Sequence, residues 1–216
     1  MGRQSDARDR LIRSAGDLWH SRSYADVGVS EICEHAEVQK GSFYHFFASK
    51  RDLALAVIDD GWQRVGVGEI ARIMTGPLPP LERLLTLMDR GIEVQMQLKE
   101  ACGCTVGCSF GNLVVELGTV DEVLRERLAR LFDDWAALIQ HALDDAVDAG
   151  DLPQTDTGQT ARAILAYIQG LGVVIKARDD PQAVADLGPM VLRLAGADPA
   201  AVARAAAGVT RTAAAV

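Results

Sequence analysis

Apolar residues recur at helical spacing along almost the whole chain, and no stretch alternates apolar and polar residues as a half-buried strand does. The clearest stripe follows an i, i+3/i+4 rhythm and consists of Leu124, Leu128, Leu131, Trp135, Leu138 and Ala142. Gly150, with Pro153 just beyond it, is typical of the end of such a helix. This pattern argues against a sheet-based fold and predicts an all-α protein.

Caps, prolines and glycines divide the chain into separate predicted helices. They lie at about 6–21, 29–36, 39–46, 52–75, 80–99, 109–117, 120–149, 156–178 and 181–196. Ser49 and Asp52 form the capping pair that opens the fourth helix, and Pro77, Pro79 and Pro80 mark the break after it. The Ala-rich residues 197–216 leave two alternatives open, a frayed helix or a disordered tail.

The net charge of −8 argues, as an average, against a nucleic-acid binder. Its distribution changes that conclusion. Residues 1–51 contain eight Lys and Arg against seven Asp and Glu, whereas residues 52–216 contain fourteen against twenty-three. The acidity therefore belongs to the C-terminal part, and the near-neutral N-terminal part can still contact phosphates if its cations are grouped.

Three short helices within fifty residues, with a tight link between the second and third, are typical of a helix-turn-helix unit. We expect its core to consist of Leu11, Ala15, Leu18, Ile32, Ala36, Val38, Phe43 and Phe47. The third helix then exposes groups suited to base edges and phosphates, from Gln39, Lys40, Gly41, Ser42, Tyr44 and His45. Gly41 would let the backbone approach DNA closely. The alternative is a three-helix bundle with a polar face and no DNA partner.

The run from Gly41 to Lys50, Gly-Ser-Phe-Tyr-His-Phe-Phe-Ala-Ser-Lys, followed by Leu53, resembles the signature of the tetracycline-repressor (TetR) family of transcriptional regulators. The resemblance covers about residues 8–58, and residues 107–117 are similar to a segment of one branch of the family. It implies a DNA-binding domain at 1–51 and a larger helical domain at 52–196 for effector binding and dimerisation. Residues 52–75 would form the connecting helix.

The resemblance also implies roles for individual residues. Gln39 to Ser42 and His45 would face bases or sugar-phosphate, while Tyr44 and Lys50 would bind phosphates. Ser30 would replace a hydroxyl that Gly28 lacks at the start of the second helix. Glu37 stands where a turn glycine is common, so it must adopt a positive φ or another turn. The implied partners are a double-stranded DNA operator, a small-molecule effector and a second copy, paired through residues 156–178 and 181–196.

A pocket between the middle helices is implied as well. Its candidate lining residues are Met96, Cys108, Phe110, Asn112, Trp135 and Tyr167. Apolar stripes of this kind also form ordinary core, so both interpretations stay open. Asn112 and Glu116, one helical turn apart, would bind either a ligand or the local backbone or each other.

Cys102, Cys104 and Cys108 lie within seven residues in a Gly-rich loop. Three thiols in a loop could sense oxidants or electrophiles or hold a soft metal such as Cu(I) or Zn(II), or they could be bystanders. We expect no cofactor and no resident metal. Cys33 belongs to the predicted core face of the second helix.

Several classes of protein do not fit the sequence. No charge-free apolar stretch approaches the ~20 residues of a membrane span, and the N-terminus does not resemble a signal peptide, so we expect a cytoplasmic protein. No constellation typical of catalysis stands out, so we expect no enzyme. The expected function is a repressor that a small molecule releases from a palindromic operator. The alternatives are a thiol-based redox or electrophile sensor and a thiol-dependent enzyme that does not bind DNA.

Overall fold

The structure is a computed structural model that describes residues 2–213, with side chains described for residues 6–209. Residues 2–213 consist of helices joined by turns and loops and contain no strand, which confirms the all-α prediction. The α-helices are α1 (Gly2–Ser21), α2 (Val29–His35), α3 (Lys40–Phe46), α4 (Lys50–Trp62), α5 (Ala71–Met74), α6 (Pro80–Cys102), α7 (Ser109–Leu117), α8 (Glu122–Asp148), α9 (Thr157–Arg178), α10 (Met190–Leu194) and α11 (Pro199–Ala213).

The chain divides into two compact units. One comprises Met1–Val65 with Ser109–Arg130, and the other comprises Gly66–Cys108 with Leu131–Val216. The first unit therefore contains the predicted helix-turn-helix segment together with α7, which lies far from it in sequence.

The first unit is built around the buried face of α1, which packs against α2, α3 and α4. Leu11, Ala15, Ile32, Phe43 and Leu53 are all fully buried there. The predicted core is confirmed except at Leu18, which is only half-buried. Because these apolar groups face inward, the polar side of α3 is left on the surface.

The start of α4 is fixed by local hydrogen bonds. Ser49 Oγ accepts the backbone N–H of Asp52 at 3.2 Å and donates to the carboxylate of Asp52 at 2.9 Å. This arrangement satisfies one of the free N–H groups of the first turn, as the sequence predicts. The predicted helix 52–75 is nevertheless not uniform, because residues Gln63–Ile70 form a π-helix between α4 and α5.

The second unit has its core between α6, α8, α9 and the C-terminal elements. Leu84, Leu131, Ile139, Leu143 and Ile164 are fully buried in it. Gly150 has a φ of 77°, which confirms it as the stop after α8. Within the described residues, one helix, α9, is long and apolar enough by length and composition to span a membrane. The most apolar stretch of α9 has a mean hydropathy of 1.2, and less than a third of that stretch is buried.

The prediction of a single helix at 181–196 is wrong. Residues Pro181–Leu187 form a 3₁₀-helix, and α10 begins only at Met190. Pro189 lies between the two segments and lacks the N–H that a continuous helix needs, which explains the break. For the Ala-rich tail the sequence left a frayed helix or a disordered segment open. Residues 199–213 are helical, and residues 214–216 lie outside the described residues.

Candidate DNA-binding surface

The turn between α2 and α3 is tight and strained at one residue. Glu37 adopts a φ of 53°, the first of the two conformations that its sequence position allowed. The backbone N–H of Val38 then bonds the carbonyl of Cys33 at 2.9 Å, and the buried side chain of Val38 anchors the turn. As a result, α3 starts at a fixed place relative to α2.

Most of the predicted contact residues in and before α3 are exposed. Gln39, Lys40, Gly41, Tyr44 and His45 are exposed, and Tyr44 as a whole residue is 57% exposed. Ser42 is half-buried. Exposing the apolar ring of a tyrosine to water is unfavourable unless a partner covers it. The position of Tyr44 therefore suits a contact surface.

Two of the predicted contact residues already meet. The ammonium of Lys40 donates to the hydroxyl of Ser30 at 2.9 Å, which joins the first turn of α2 to the first turn of α3. Both residues are exposed. A cation and a hydroxyl side by side at two helix N-termini form a group suited to an anion such as phosphate.

Gly41 has open space where a side chain would be. A Cβ built at this position would meet no heavy atom within 4 Å. The fold of the chain therefore does not require glycine here, although glycine weakens a helix by roughly 0.5–1 kcal/mol relative to alanine. The absence of a side chain at Gly41 is explained if another molecule approaches this part of α3.

Lys50 differs from the exposed candidates because its ammonium packs against the backbone and ring of another residue, Tyr24. Its Nζ donates to the backbone carbonyl of Tyr24 and lies 4.1 Å from the centre of the Tyr24 ring. Burial lowers the pKa of Lys50, and the carboxylates of Glu116 and Asp26 act in the opposite direction. Sequence reasoning missed Tyr24 as this partner, because nothing in the spacing of the two residues indicates the contact.

The candidate effector residues are divided between the two units. Phe110 and Asn112 belong to the first unit, where Phe110 packs edge-on against Trp62. Met96, Cys108, Trp135 and Tyr167 belong to the second. Met96 is 46% exposed, and the Tyr167 hydroxyl donates to the carbonyl of Leu187 at 2.8 Å. That a pocket forms among these residues stays a prediction.

The cysteine loop is exposed at its start and anchored at its end. Cys102 and Cys104 are exposed on either side of Gly103, which has a φ of 78°, and Cys108 is half-buried. Thr105 donates through its N–H and its hydroxyl to the carboxylate of Asp179, at 2.7 and 3.1 Å. In the part of the chain whose side chains are described, no group of three or more His, Cys, Asp or Glu is placed to hold a metal ion.

Two family models match the chain. Residues 11–57 match the model described as bacterial regulatory proteins, tetR family, and residues 80–188 match the one described as tetracyclin repressor-like, C-terminal domain. Together they cover the helix-turn-helix segment and most of the remaining helices.

Relatives and solved structures agree with these matches. An uncharacterised HTH-type transcriptional regulator of Lactococcus lactis is 30% identical over 81% of this chain and 86% of its own length. The transcriptional regulator AcuR of Cereibacter sphaeroides is 31% identical over 80% of this chain and 76% of its own. The crystal structure of Escherichia coli NemR in its reduced form shares the fold, with a TM-score of 0.77 at 22% identity over 88% of this chain and 97% of NemR. The chain belongs to the TetR family of helix-turn-helix transcriptional regulators.

Proposed function

We propose that this protein is a cytoplasmic homodimeric repressor that leaves a palindromic DNA operator when a small molecule binds its C-terminal domain. In this proposal residues 1–51 bind DNA and residues 52–196 bind the effector and form the dimer. The observation that carries it is the exposed polar face of α3, where Gly41 has open space and Lys40 meets Ser30. An enzymatic role is not part of the proposal, because the relatives and matching domains are regulators of transcription.

DNA contacts follow from the chemistry of that face. Gln39 and His45 can read base edges in the major groove, and Lys40, Ser42 and Tyr44 can donate to phosphate oxygens. One recognition helix makes few base contacts, so two of them in adjacent major grooves are needed for a specific site. The operator should therefore contain two inverted half-sites.

The dimer is supported by an apolar face that the chain itself leaves uncovered. On α9 the exposed residues at helical spacing are Ala166, Gly170, Val173, Val174 and Ala177. Val173 is 66% exposed, and a Cβ at Gly170 would meet nothing within 4 Å. A face of small and apolar residues lets a second helix approach closely and bury it.

The groove beside this face supports the same partner. It has a volume of about 270 Å³ and is lined by Phe132, Asp133, Ala136, Arg162, Leu165, Ala166 and Gln169 of α8 and α9. Asp133 and Arg162 supply opposite charges next to the apolar residues. In a symmetric dimer the same patch is used by both copies, so each would present this apolar stripe with both charges to the other.

Selection of bound fragments from random DNA tests the proposal. Purified full-length protein should enrich a sequence with two inverted half-sites, and Tyr44→Ala protein should enrich none. Titration of small molecules against the enriched fragment then identifies effectors by loss of binding. Failure of wild-type protein to enrich any sequence at low salt would contradict the proposal.

A thiol-responsive regulator is the second candidate function. It is favoured by the exposure of Cys102 and Cys104 on both sides of Gly103, in front of a loop that Asp179 holds in place. Two such thiols can form a disulfide when an oxidant such as diamide takes up their two electrons and two protons.

Diamide should then change operator affinity in wild-type protein but not in a variant with serine at all three loop positions. The buried Cys33 remains in both proteins and serves as the internal control. Equal responses of the two proteins would contradict a role for Cys102, Cys104 and Cys108 in sensing oxidants.

A further inference from the structure

Glu116 of α7 has both carboxylate oxygens bound by the loop between α1 and α2. Oε1 accepts from the hydroxyl of Ser23 at 2.5 Å and from the N–H of Ala25 at 2.8 Å. Oε2 accepts from the N–H of Tyr24 at 3.0 Å. Three donors on one carboxylate, more than ninety residues away in sequence, form a specific connection rather than a chance surface contact.

The electrostatics of Glu116 agree with this geometry. Burial raises the pKa of the carboxyl. The hydrogen bonds from Ser23, Ala25 and Tyr24, together with the charge of Lys50, lower it by more, so the pKa lies below the usual value for glutamate. Glu116 is therefore ionised at neutral pH, and its charge is satisfied by the loop. These partners of Glu116 are distant in sequence, and they differ from the ligand, the local backbone and the Asn112 side chain that the sequence offered as alternatives.

Tyr24 connects Glu116 to Lys50. Its N–H is donated to Glu116, its carbonyl accepts the ammonium of Lys50, and its ring lies below that ammonium. The ammonium has three N–H groups, and the carbonyl of Tyr24 uses one of them. A phosphate oxygen can therefore bind Lys50 without breaking its contact with Tyr24.

The helix that carries Glu116 is itself held at its other end. The hydroxyl of Ser109, the first residue of α7, lies 2.7 Å from Nδ1 of His20 near the end of α1. The ring of Phe110 packs edge-on against Trp62 of α4 and fills the space beside Gly61 that a side chain would need. Because α7 is fixed at both ends, the carboxylate of Glu116 has a defined position from which it orders the loop.

We infer that Glu116 is a positioning residue for DNA binding, which fixes Tyr24 and thereby holds the ammonium of Lys50 where an operator phosphate meets it. This inference rests on the proposed DNA-binding surface, and it adds a residue that lies outside the helix-turn-helix segment. Neither a bound ligand nor a movement is needed for this role.

The test is a double-mutant cycle on full-length protein with the DNA fragment recovered by selection. Wild type, E116Q, K50A and E116Q/K50A are compared by fluorescence anisotropy over a range of salt concentrations. E126Q is the matched control, because it removes the same charge from an exposed position of α8 in the same unit. Amide hydrogen exchange at Tyr24 and Ala25 reports the order of the loop.

We expect E116Q to bind about tenfold more weakly at physiological salt and to lower the salt slope by about two, the effect of one lost phosphate contact in each protomer of the dimer. In the K50A background the same change should cause no further loss. Exchange at Tyr24 and Ala25 should accelerate in E116Q but not in E126Q. Should E116Q fail to fold, Ser23→Ala removes one of the three donors and should shift the slope in the same direction.

Two results would overturn the inference. One is a Kd and a slope for E116Q that match those of E126Q. The other is a loss that leaves the slope unchanged and adds fully to that of K50A, which would show a general structural role. A failed DNA surface is recognised separately, because Tyr44→Ala would then bind the fragment as tightly as wild type.

Discussion

The guanidinium of Arg10 donates to the backbone carbonyl of Glu37 at 3.4 Å, at the residue whose φ of 53° turns the chain from α2 into α3. The bond supports a conformation that costs a residue with a Cβ roughly 1–2 kcal/mol. Glu37→Gly should therefore raise the free energy of unfolding by about 1 kcal/mol, measured by urea denaturation. Its DNA affinity should rise, because a negative charge next to the contact surface is removed.

Glu34→Gly is the control for this substitution. Glu34 is exposed in α2, where glycine should lower stability by about 0.5–1 kcal/mol. Equal destabilisation by both substitutions would show that the positive φ at Glu37 is not a source of strain.

Gly41→Ala should separate stability from DNA binding. The added methyl has open space and improves the helix, so the free energy of unfolding should rise by roughly 0.5–1 kcal/mol. In the proposed complex the same methyl would project toward the DNA, and we expect the Kd for the selected fragment to rise at least tenfold.

Gly91→Ala is the matched control for Gly41→Ala. It lies in α6, where a Cβ would also meet nothing within 4 Å. This variant should gain similar stability and keep the wild-type Kd. Unchanged DNA binding in both variants would mean that α3 does not approach DNA at Gly41.

Val173→Asp should disrupt the proposed dimer. A carboxylate in the middle of the exposed face of α9 would be buried without a partner against its own copy, which is strongly unfavourable. Light scattering should show a dimer for wild type and a monomer for the variant at micromolar concentration. Val115→Asp, at a position that is 84% exposed on α7, should stay dimeric; a dimeric Val173→Asp protein would place the interface elsewhere.

The stability contributed by Glu116 should depend on pH in a defined direction. Because its pKa is lower in the folded protein than in the unfolded chain, the contribution is complete above the unfolded value of about 4.3 and is lost as the pH falls through the folded value. Urea denaturation of wild type and E116Q at fixed protein concentration should show a difference that is largest at neutral pH and shrinks in acid. A difference that stays constant from pH 7 to pH 3 would argue against an ionised Glu116 as its source.

Local signals account for what the sequence could predict. Ser49 caps α4 and Gly150 ends α8 as expected, because capping depends on residues within one turn. The exposed face of α3 followed from the apolar residues on its other side. Such patterns are complete within a short window of the chain.

The features that the sequence did not predict depend on contacts between distant residues or on which backbone groups pair within a helix. The π-helix Gln63–Ile70 has no apolar pattern that distinguishes it from an α-helix. The contacts of Glu116 with residues 23–25 and of Lys50 with Tyr24 arise only when the helices pack together. The 3₁₀-helix at 181–187 had a local signal in Pro189, which the apolar spacing of residues 181–196 masked.

The C-terminal helix α11 packs on α6 through Ala201, Ala205 and Gly208, all of them buried. A Cβ at Gly208 would overlap the carboxylate of Glu82, so no larger residue fits there without displacing that side chain. The alanine-rich composition thus reflects close packing against α6. Removing α11 would strip a covering layer from the apolar side of α6, so shortened forms made for protein production should retain this helix.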